Sequence, residues 1–306
     1  APPAIISVYL GDELYAVLEA VKNGSAYDNK RASKMTIGVD VLPPIPKDST
    51  DRNRTSPFAF TGNKFEFRSL GASLSIAGPN TILNAIVASV LKSFADELEN
   101  TDDFHASLER LIRRELSAHW RILFNGNGYD EQWVLEAERR GLLNLRTLPD
   151  ALAHYLDSKN IRLLTEMGVY SEAELKSHYD IKLEKYAQVL NIEVATMLEM
   201  VFKDILPAAF KYMADLRRLT EENWAASRLY ERLEDLVNEL YKLQDDLSKA
   251  HAEAKEAGDL MAVACAYADI VIPLMTKARA AADEIEPLLG EAYKPFPTYG
   301  DLLFRI

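Results

Sequence analysis

The chain has 306 residues, of which 48% are hydrophobic and 27% are charged. This composition excludes a largely disordered chain and can supply one large core or two smaller ones. With 35 basic and 47 acidic residues, the net charge of −12 argues against a nucleic-acid binder, which would need an extended basic surface.

The cysteine content and the first residues favour a cytoplasmic protein. Cys265 is the only cysteine, so an internal disulfide framework is excluded and a reducing compartment is favoured. The first residues lack the basic start and the cleavage site of a signal peptide. The most apolar helical run, residues 260–275, is interrupted by Asp269 and is expected to fall short of a membrane span. We therefore expect no membrane partner.

The amino-terminal region predicts alternating strands and helices. Residues 4–10 form an apolar run that is typical of a buried strand. A buried strand as the first element suggests sheet partners upstream, so we interpret the chain as a fragment of a longer protein. Residues 12–21 have the spacing of a short helix that Asn23-Gly24 ends. Residues 35–41 alternate enough to predict a second strand.

The most informative stretch, residues 51–68, is a local basic region in an acidic protein. Its second half, residues 64–68, alternates charged and aromatic side chains after a turn. The period of two in a strand puts Lys64, Glu66 and Arg68 on one face and two phenylalanines on the other. Taken alone, this pattern also fits an ordinary amphipathic strand with one solvated side.

Two arginines precede this strand and strengthen the functional interpretation. Arg52 and Arg54 are two residues apart, so in an extended loop both guanidinium groups can point the same way. Guanidinium groups bind phosphate and carboxylate well, so the region predicts a small anionic ligand. The carboxylate of Glu66 among these cations makes sense if a divalent cation lies between the protein and a phosphate.

Beyond this region the sequence predicts helices almost throughout. Asn80 is expected to cap a helix that runs to about Leu98. From Thr101 the pattern is helical to near Phe124. The Gly-x-Gly at residues 126–128 follows no strand, so a helix-ending turn explains it better than a phosphate-binding loop.

The next part of the chain predicts shorter helices and then one long helix. Asp130 is expected to cap a helix over residues 131–140, and residues 149–156 predict another short helix. The longest apolar periodicity covers residues 171–219. Pro207 lies inside it and should kink or divide that helix, because proline removes a backbone hydrogen bond.

The clearest structural signal is a pair of helical seams within residues 221–289. Apolar residues spaced alternately three and four apart form one seam over residues 226–257 and another over residues 260–288. Because Gly258 joins them, the two helices should form an antiparallel coiled-coil hairpin. Pro273 should bend the second helix. The hairpin fits a contact surface between subunits and packing on its own chain equally well.

Several of these residues resemble the motifs of a known enzyme family. Residues 53–56, followed by residues 64–68, resemble the Asn-Arg-Ser and Arg-x-Glu-x-Arg motifs that close the active site of glutamine synthetases. The opening residues 1–7 resemble that family's Glu-Ala-Pro motif without its glutamate. The longer stretch, residues 53–68 followed by residues 72–80, is similar to the long, type III class of this family.

The resemblance implies an enzyme that joins ammonia to glutamate, using ATP and Mg²⁺ or Mn²⁺, through a glutamyl phosphate intermediate. By position, it implies that Glu66 binds metal and that Arg68 binds the substrate glutamate. It also implies that Arg54 contacts phosphate during catalysis, and that Arg52, Arg54 and Lys64 contribute to ATP binding. The commoner classes carry a further arginine where this chain has Ala59, which makes Lys64 a candidate for the terminal-phosphate contact.

The resemblance also implies an α+β, mainly α fold in two parts. Residues 1–100 would be the carboxyl-terminal part of the catalytic domain, with an incomplete sheet, and residues 101–306 a helical region. The fragment would not be competent alone, because the family's other metal ligands are absent. The whole protein is expected to be a homo-oligomer that includes the missing amino-terminal part. The alternatives are a related carboxylate-amine ligase with another substrate and a non-catalytic helical interaction module.

Overall fold

The computed structural model describes most of the chain. The described residues are 5–27, 34–35, 45–46, 55–68 and 74–304. Within them the architecture is α+β and mainly α, which confirms the predicted fold class.

The chain divides into two compact units. The first comprises Ala1–Arg146 and Asp157–Glu172, and the second comprises Thr147–Leu156 and Ala173–Ile306. These units reflect backbone packing. The division at residue 100 between catalytic and helical parts is a functional one, and it stays a prediction.

The first unit combines short strands with helices. Its described strands are β1 (Val8–Tyr9), β2 (Lys34–Met35), β3 (Ile45–Pro46), β4 (Phe58–Phe60) and β5 (Phe65–Phe67). Its helices are α1 (Asp12–Asn23), α2 (Ala77–Leu98), α3 (Phe104–His119), α4 (Glu131–Arg139) and, after a segment of the second unit, α6 (Ser158–Glu166).

The larger sheet has the order β1-β4-β5. β1 runs parallel to β4, and β4 runs antiparallel to β5. On the other side of β1, Val8 makes an isolated parallel bridge to Leu123. β2 and β3 form a separate antiparallel pair. β4 is therefore the central strand, and it carries the residue opposite Glu66.

The first elements agree in part with those predicted from the sequence. The predicted strand over residues 4–10 is wrong in extent, because β1 covers Val8–Tyr9 and Ile6 is 61% exposed. α1 is confirmed, and Gly24 ends it in a left-handed conformation at φ 67°. The predicted strand over residues 35–41 begins as β2, and residues 36–41 lie outside the described residues.

Two helix boundaries differ from the prediction. Asn80 does not cap α2, which already begins at Ala77. Pro79 fits inside its first turn, where a backbone N–H has no helical partner to lose. α3 ends at His119 and a 3₁₀ turn follows, because Leu123 leaves the helix to bridge β1. The predicted cap of α4 is confirmed: the Asp130 side chain accepts a hydrogen bond from the Gln132 backbone.

The second unit contains helices joined by turns and short loops, and none of its described residues forms a strand. Its helices are α5 (Leu148–Ala153), α7 (from Glu172 to Met200), α8 (Leu206–Arg217), α9 (Trp224–Lys255), α10 (Leu260–Ala266), α11 (Ile272–Ile285) and α12 (Tyr299–Phe304). Two π-helical segments interrupt this series: Val201–Ile205 between α7 and α8, and Tyr267–Val271 between α10 and α11.

Both π segments lie just before a proline. Pro207 is the second residue of α8 and Pro273 is the second residue of α11. Proline cannot donate a helical hydrogen bond, and the wider i→i+5 turn before it changes the bonding register at that point. The predicted effect of Pro207 on the long helix takes the form of a π segment, and the helix continues after it.

The two predicted seams pack against each other. α9 packs along α10, the second π segment and α11, and Gly258 in the connection has φ 124°. Buried members of the seams include Leu233, Leu236, Leu240 and Leu247 on the first side and Val271, Ala278, Ala281 and Ile285 on the second. The packed hairpin is therefore present, and the knobs-into-holes geometry of a coiled coil stays a prediction.

The membrane expectation needs one correction. The helical run Leu260–Leu288 has 29 residues and is long and apolar enough to cross a membrane by length and composition. The expectation that it falls short was wrong, because the run continues through the π segment and past Pro273. In the structure its buried side chains pack in the same clusters as those of α9.

We predict that Gln244→Leu destabilises the second unit. The Gln244 amide donates a hydrogen bond of 2.9 Å to the Leu198 carbonyl, one turn before the first π segment. Removing this part-buried donor should cost about 1 kcal/mol, measured as a lower urea midpoint. The matched change Gln188→Leu on the exposed face of α7 should leave the midpoint almost unchanged. Equal effects of the two changes would contradict this role of Gln244.

We also predict that acid weakens the hairpin through His251. The His251 ring is buried, its Nδ1 lies 3.3 Å from the Tyr267 hydroxyl, and burial lowers its pKa below the ordinary 6.5, with Lys255 adding to the effect. The unfolded chain therefore binds a proton more readily, so this stability is present above pH 6.5 and is lost as the pH falls below it. Urea unfolding from pH 5 to 8 should show this loss.

The control for this prediction is the same substitution at a different, exposed histidine. His251→Phe should flatten the acid side of the stability profile, whereas the exposed His105→Phe should keep it. A profile that His251→Phe leaves unchanged would contradict the assignment.

Candidate functional site

The candidate site is built on the β4–β5 hairpin. Its register pairs Phe58 with Phe67, Ala59 with Glu66 and Phe60 with Phe65. The turn is closed by the Thr61 backbone, which donates to the Lys64 carbonyl at 2.8 Å. Side chains therefore alternate between two faces, as predicted for residues 64–68.

One face of the hairpin is aromatic. The ring of Phe58 stacks on Phe65 at 5.3 Å between centroids and lies 6.2 Å from Phe67. Phe60 lies 5.2 Å from Phe65. Aromatic pairs at these separations stabilise a sheet beyond simple burial. The aromatic face holds the register that presents the charged side chains on the opposite face.

The other face carries a charged cluster of Lys64, Glu66 and Arg68. Lys64 Nζ lies 3.3 Å from one carboxylate oxygen of Glu66, and Arg68 Nη2 lies 3.4 Å from the other. Their side chains are 65%, 39% and 20% exposed in the order 64, 66, 68. The hydrogen bond from Lys64 is the main cause that lowers the pKa of Glu66, and Arg68 adds to it. The cluster thus holds an ionised carboxylate between two cations.

Arg68 is the most firmly held member of the cluster. Its Nη1 donates to the Ser56 carbonyl at 3.3 Å, and its backbone donates to the Pro57 carbonyl at 2.7 Å. The described end of the stretch at residues 53–56 therefore lies beside its guanidinium group. Arg52 and Arg54 lie outside the described residues, so their predicted roles stay predictions.

The loop at residues 125–128, predicted as a helix-ending turn, supports this site. The Gly128 backbone donates to the Thr55 carbonyl at 2.8 Å, and a Cβ at Gly128 would lie 2.5 Å from that oxygen. The Asn125 side chain accepts from the backbones of Leu10 and Gly11 at 3.0 and 3.2 Å. The loop connects the end of β1 to the residues before β4. The repeated Asn-Gly at residues 125–128 was the sequence signal for this loop. It did not show that the backbones of Gly128 and Thr55 approach closely.

The described residues do not make a metal site by themselves. Among them there is no group of three or more His, Cys, Asp or Glu side chains that could hold a metal ion. Magnesium and calcium take about six oxygen ligands, and Glu66 offers a single carboxylate. The charged cluster can supply one ligand to a metal and two cations to an anion, and no more.

The comparisons with known proteins place the chain in a family context. The domain family described as glutamine synthetase C-terminal domain matches residues 107–223. A glutamine synthetase of Butyrivibrio fibrisolvens is 38% identical over 321 residues, which cover 100% of this chain and 45% of that protein. A type-3 glutamine synthetase of Dictyostelium discoideum is 35% identical, covering 99% and 44%. A glutamine synthetase of Bacteroides fragilis is 33% identical, covering 99% and 44%.

These matches extend over almost the whole of this chain. The chain spans less than half of the length of each of these relatives. The matched lengths span both the β4–β5 hairpin and the helices of the second unit.

Ala59, the residue opposite Glu66, is fully buried. Its exposed fraction is 0%, and it lies in the central strand of the sheet. A long charged side chain there would have to displace packed atoms or bury its charge. The structure thus gives a physical reason why position 59 carries a small side chain in this chain.

We predict that Ala59→Arg disrupts the β4–β5 hairpin. Overpacking and a buried charge should destabilise the first unit by about 3 kcal/mol or more. Hydrogen exchange of the peptide covering residues 58–67 should become faster. The control Asn63→Arg adds the same charge in the exposed turn and should leave exchange nearly unchanged. Normal protection in Ala59→Arg would contradict the packing argument.

Proposed function

Because the chain belongs to the glutamine synthetase family, we propose that it is the carboxyl-terminal part of a glutamate-ammonia ligase of the type III class. The observation that carries the proposal is the charged cluster of Lys64, Glu66 and Arg68 on one face of the β4–β5 hairpin. Nearly the full length of the chain that carries this cluster matches proteins named glutamine synthetase.

The proposed reaction has two steps. A carboxylate oxygen of glutamate attacks the terminal phosphorus of ATP, ADP leaves, and glutamyl phosphate forms. Ammonia then attacks the acyl carbon, phosphate leaves, and the amide of glutamine forms after loss of a proton. Both steps gather negative charge on phosphate oxygens, so cationic side chains held in place favour the transition states.

The chain's own residues would take separate roles in this reaction. Arg68 is held by Ser56 and by Glu66, and this supports a role in orienting the carboxylate of glutamate. Lys64 has an exposed ammonium group, and this supports a contact with the terminal phosphate. We assign Arg54 to a phosphate contact and Arg52 to ATP binding by their positions in the sequence.

Glu66 would contribute one ligand to Mg²⁺ or Mn²⁺. A bound divalent cation would neutralise phosphate charge in this chemistry. The low pKa of Glu66, caused by Lys64 and Arg68, keeps its carboxylate ionised as a metal ligand must be. The other ligands would come from the part of the protein that the relatives have and this chain does not match.

The wider setting is also part of the proposal. We infer a cytoplasmic homo-oligomer whose substrates are glutamate, ammonia and ATP. A carboxylate-amine ligase with another acid or amine would use the same phosphate and metal residues, and a panel of amino acids and amines distinguishes it. The similarity to proteins named glutamine synthetase supports a ligase over a purely structural helical module.

We predict that Glu66→Gln in the full-length protein lowers glutamine formation by about a hundredfold or more, because a neutral amide is a poor metal ligand. The change keeps the size of the side chain, so the oligomer measured by size-exclusion chromatography should be unaltered. Activity is measured with ATP, glutamate, ammonia and a titration of Mg²⁺ or Mn²⁺.

The matched control is Glu99→Gln, which removes a carboxylate at an exposed position just after α2. It should leave glutamine formation within about twofold of the parent, as expected for a surface change. Near-normal activity of Glu66→Gln across the metal titration would refute the role given to Glu66.

A further inference from the structure

A cavity of about 1080 Å³ lies within the second unit and has no part in the function proposed above. The cavity is partly open to solvent, and three segments line it: the carboxyl-terminal half of α7 with the first π segment, α11, and the tail at residues 295–302. Pockets for small ligands usually measure about 300–1,000 Å³. The cavity is therefore large enough for an elongated small molecule.

The interior of the cavity is apolar. Its wall includes Leu190, Met197, Val201, Met275, Ile285 and Phe296. Apolar walls without a partner lose the dispersion contacts that a ligand would supply. Methionine side chains are unbranched and adapt to ligands of different shape. The body of a suitable ligand is thus an aliphatic or aromatic group.

The threonine hydroxyls around the cavity act as hydrogen-bond acceptors. The hydroxyls of Thr196 and Thr276 each donate at 2.9 Å to the carbonyl four residues earlier in their own helix. Thr298 donates to Asp301 at 2.8 Å. A hydroxyl has one hydrogen to donate, so in these hydrogen bonds Thr196 and Thr276 present acceptor lone pairs toward the cavity. Thr298 Oγ1 also accepts from the Asp301 backbone at 3.2 Å, which leaves it less acceptor capacity. A ligand that carries donors fits these hydroxyls, and a carboxylate does not.

The charged side chains around the cavity also favour a ligand that carries hydrogen-bond donors. Three carboxylates line it, those of Glu193, Asp283 and Glu286, against one lining cation, Arg279. A second cation, Lys294, lies near enough to Glu286 to interact electrostatically with that carboxylate, and the acidic groups still outnumber the basic ones. Arg279 Nε already donates to Asp283 at 2.5 Å. The excess of negative charge attracts a cationic group and repels an anionic one. We propose that this cavity binds an elongated apolar molecule that carries a protonated amine.

The test compares probes that differ only in the head group. Decylammonium, decanol and decanoate, each below its micelle concentration, are titrated against the whole chain at pH 7.5 while displacing the neutral dye Nile red. We expect one site per chain and roughly fivefold or tighter binding of decylammonium than of decanoate. Equal affinities, or tighter binding of decanoate, would overturn the proposal.

Two kinds of variant locate the site. Ala282→Trp should fill the cavity and weaken decylammonium binding about tenfold or more through lost apolar contact. If this variant does not fold, as judged by circular dichroism, Met275→Trp replaces it. Ala252→Trp on the exposed face of α9 is the matched control and should bind normally. A folded blocking variant that still binds the probe would place the site elsewhere.

The second kind of variant removes carboxylate charge at the cavity and keeps the shape of the side chains. The double change Glu193→Gln with Glu286→Gln should reduce the preference for decylammonium over decanoate to about twofold or less, because rim charges supply it. The double change Glu184→Gln with Glu239→Gln, at exposed positions outside the cavity, should keep the full preference. An unchanged preference in the first double variant would contradict the proposed amine selectivity.

Discussion

The antiparallel pairing of β4 with β5 is the constraint on which the candidate site depends. With Ala59 opposite Glu66, four phenylalanines lie on one face of the hairpin and three charged side chains on the other. A slip of one residue would move every side chain to the opposite face. Aromatic packing thus positions the acid between its two cations, although none of the aromatic rings takes part in the proposed chemistry.

The second unit depends on a different constraint, the loss of a backbone donor at two prolines. A π segment precedes both Pro207 and Pro273, and each helix then continues. Val201 and Ile205 of the first π segment line the large cavity, and Ile272 follows the second. Part of the first interruption thus borders the space that a ligand could occupy, and the second interruption ends one residue before a residue that lines it. This association fits the frequent occurrence of π segments at functional sites.

Much of the helical architecture could be predicted, because its seams repeat over many turns and each repeat adds to the pattern. The short elements were harder. Asn80 is a good capping residue, yet α2 begins at Ala77, since proline is tolerated in a first helical turn. The apolar run at residues 4–10 predicted a full strand, but of its described residues, 5–10, only Val8–Tyr9 form a strand with a neighbour. Local sequence cannot show how far a neighbouring strand extends.

The sequence by itself determined which side chains share a face: the charges of β5, the seams of the hairpin and the positions where proline interrupts a helix. These follow from fixed periods of two and of about 3.6 residues along the backbone. Only the tertiary structure decided that Gly128 contacts Thr55, that Ala59 is fully buried opposite Glu66, and that acceptor groups gather around an apolar cavity. Such features join residues that are distant in the chain, and no local period encodes the packing that brings them together.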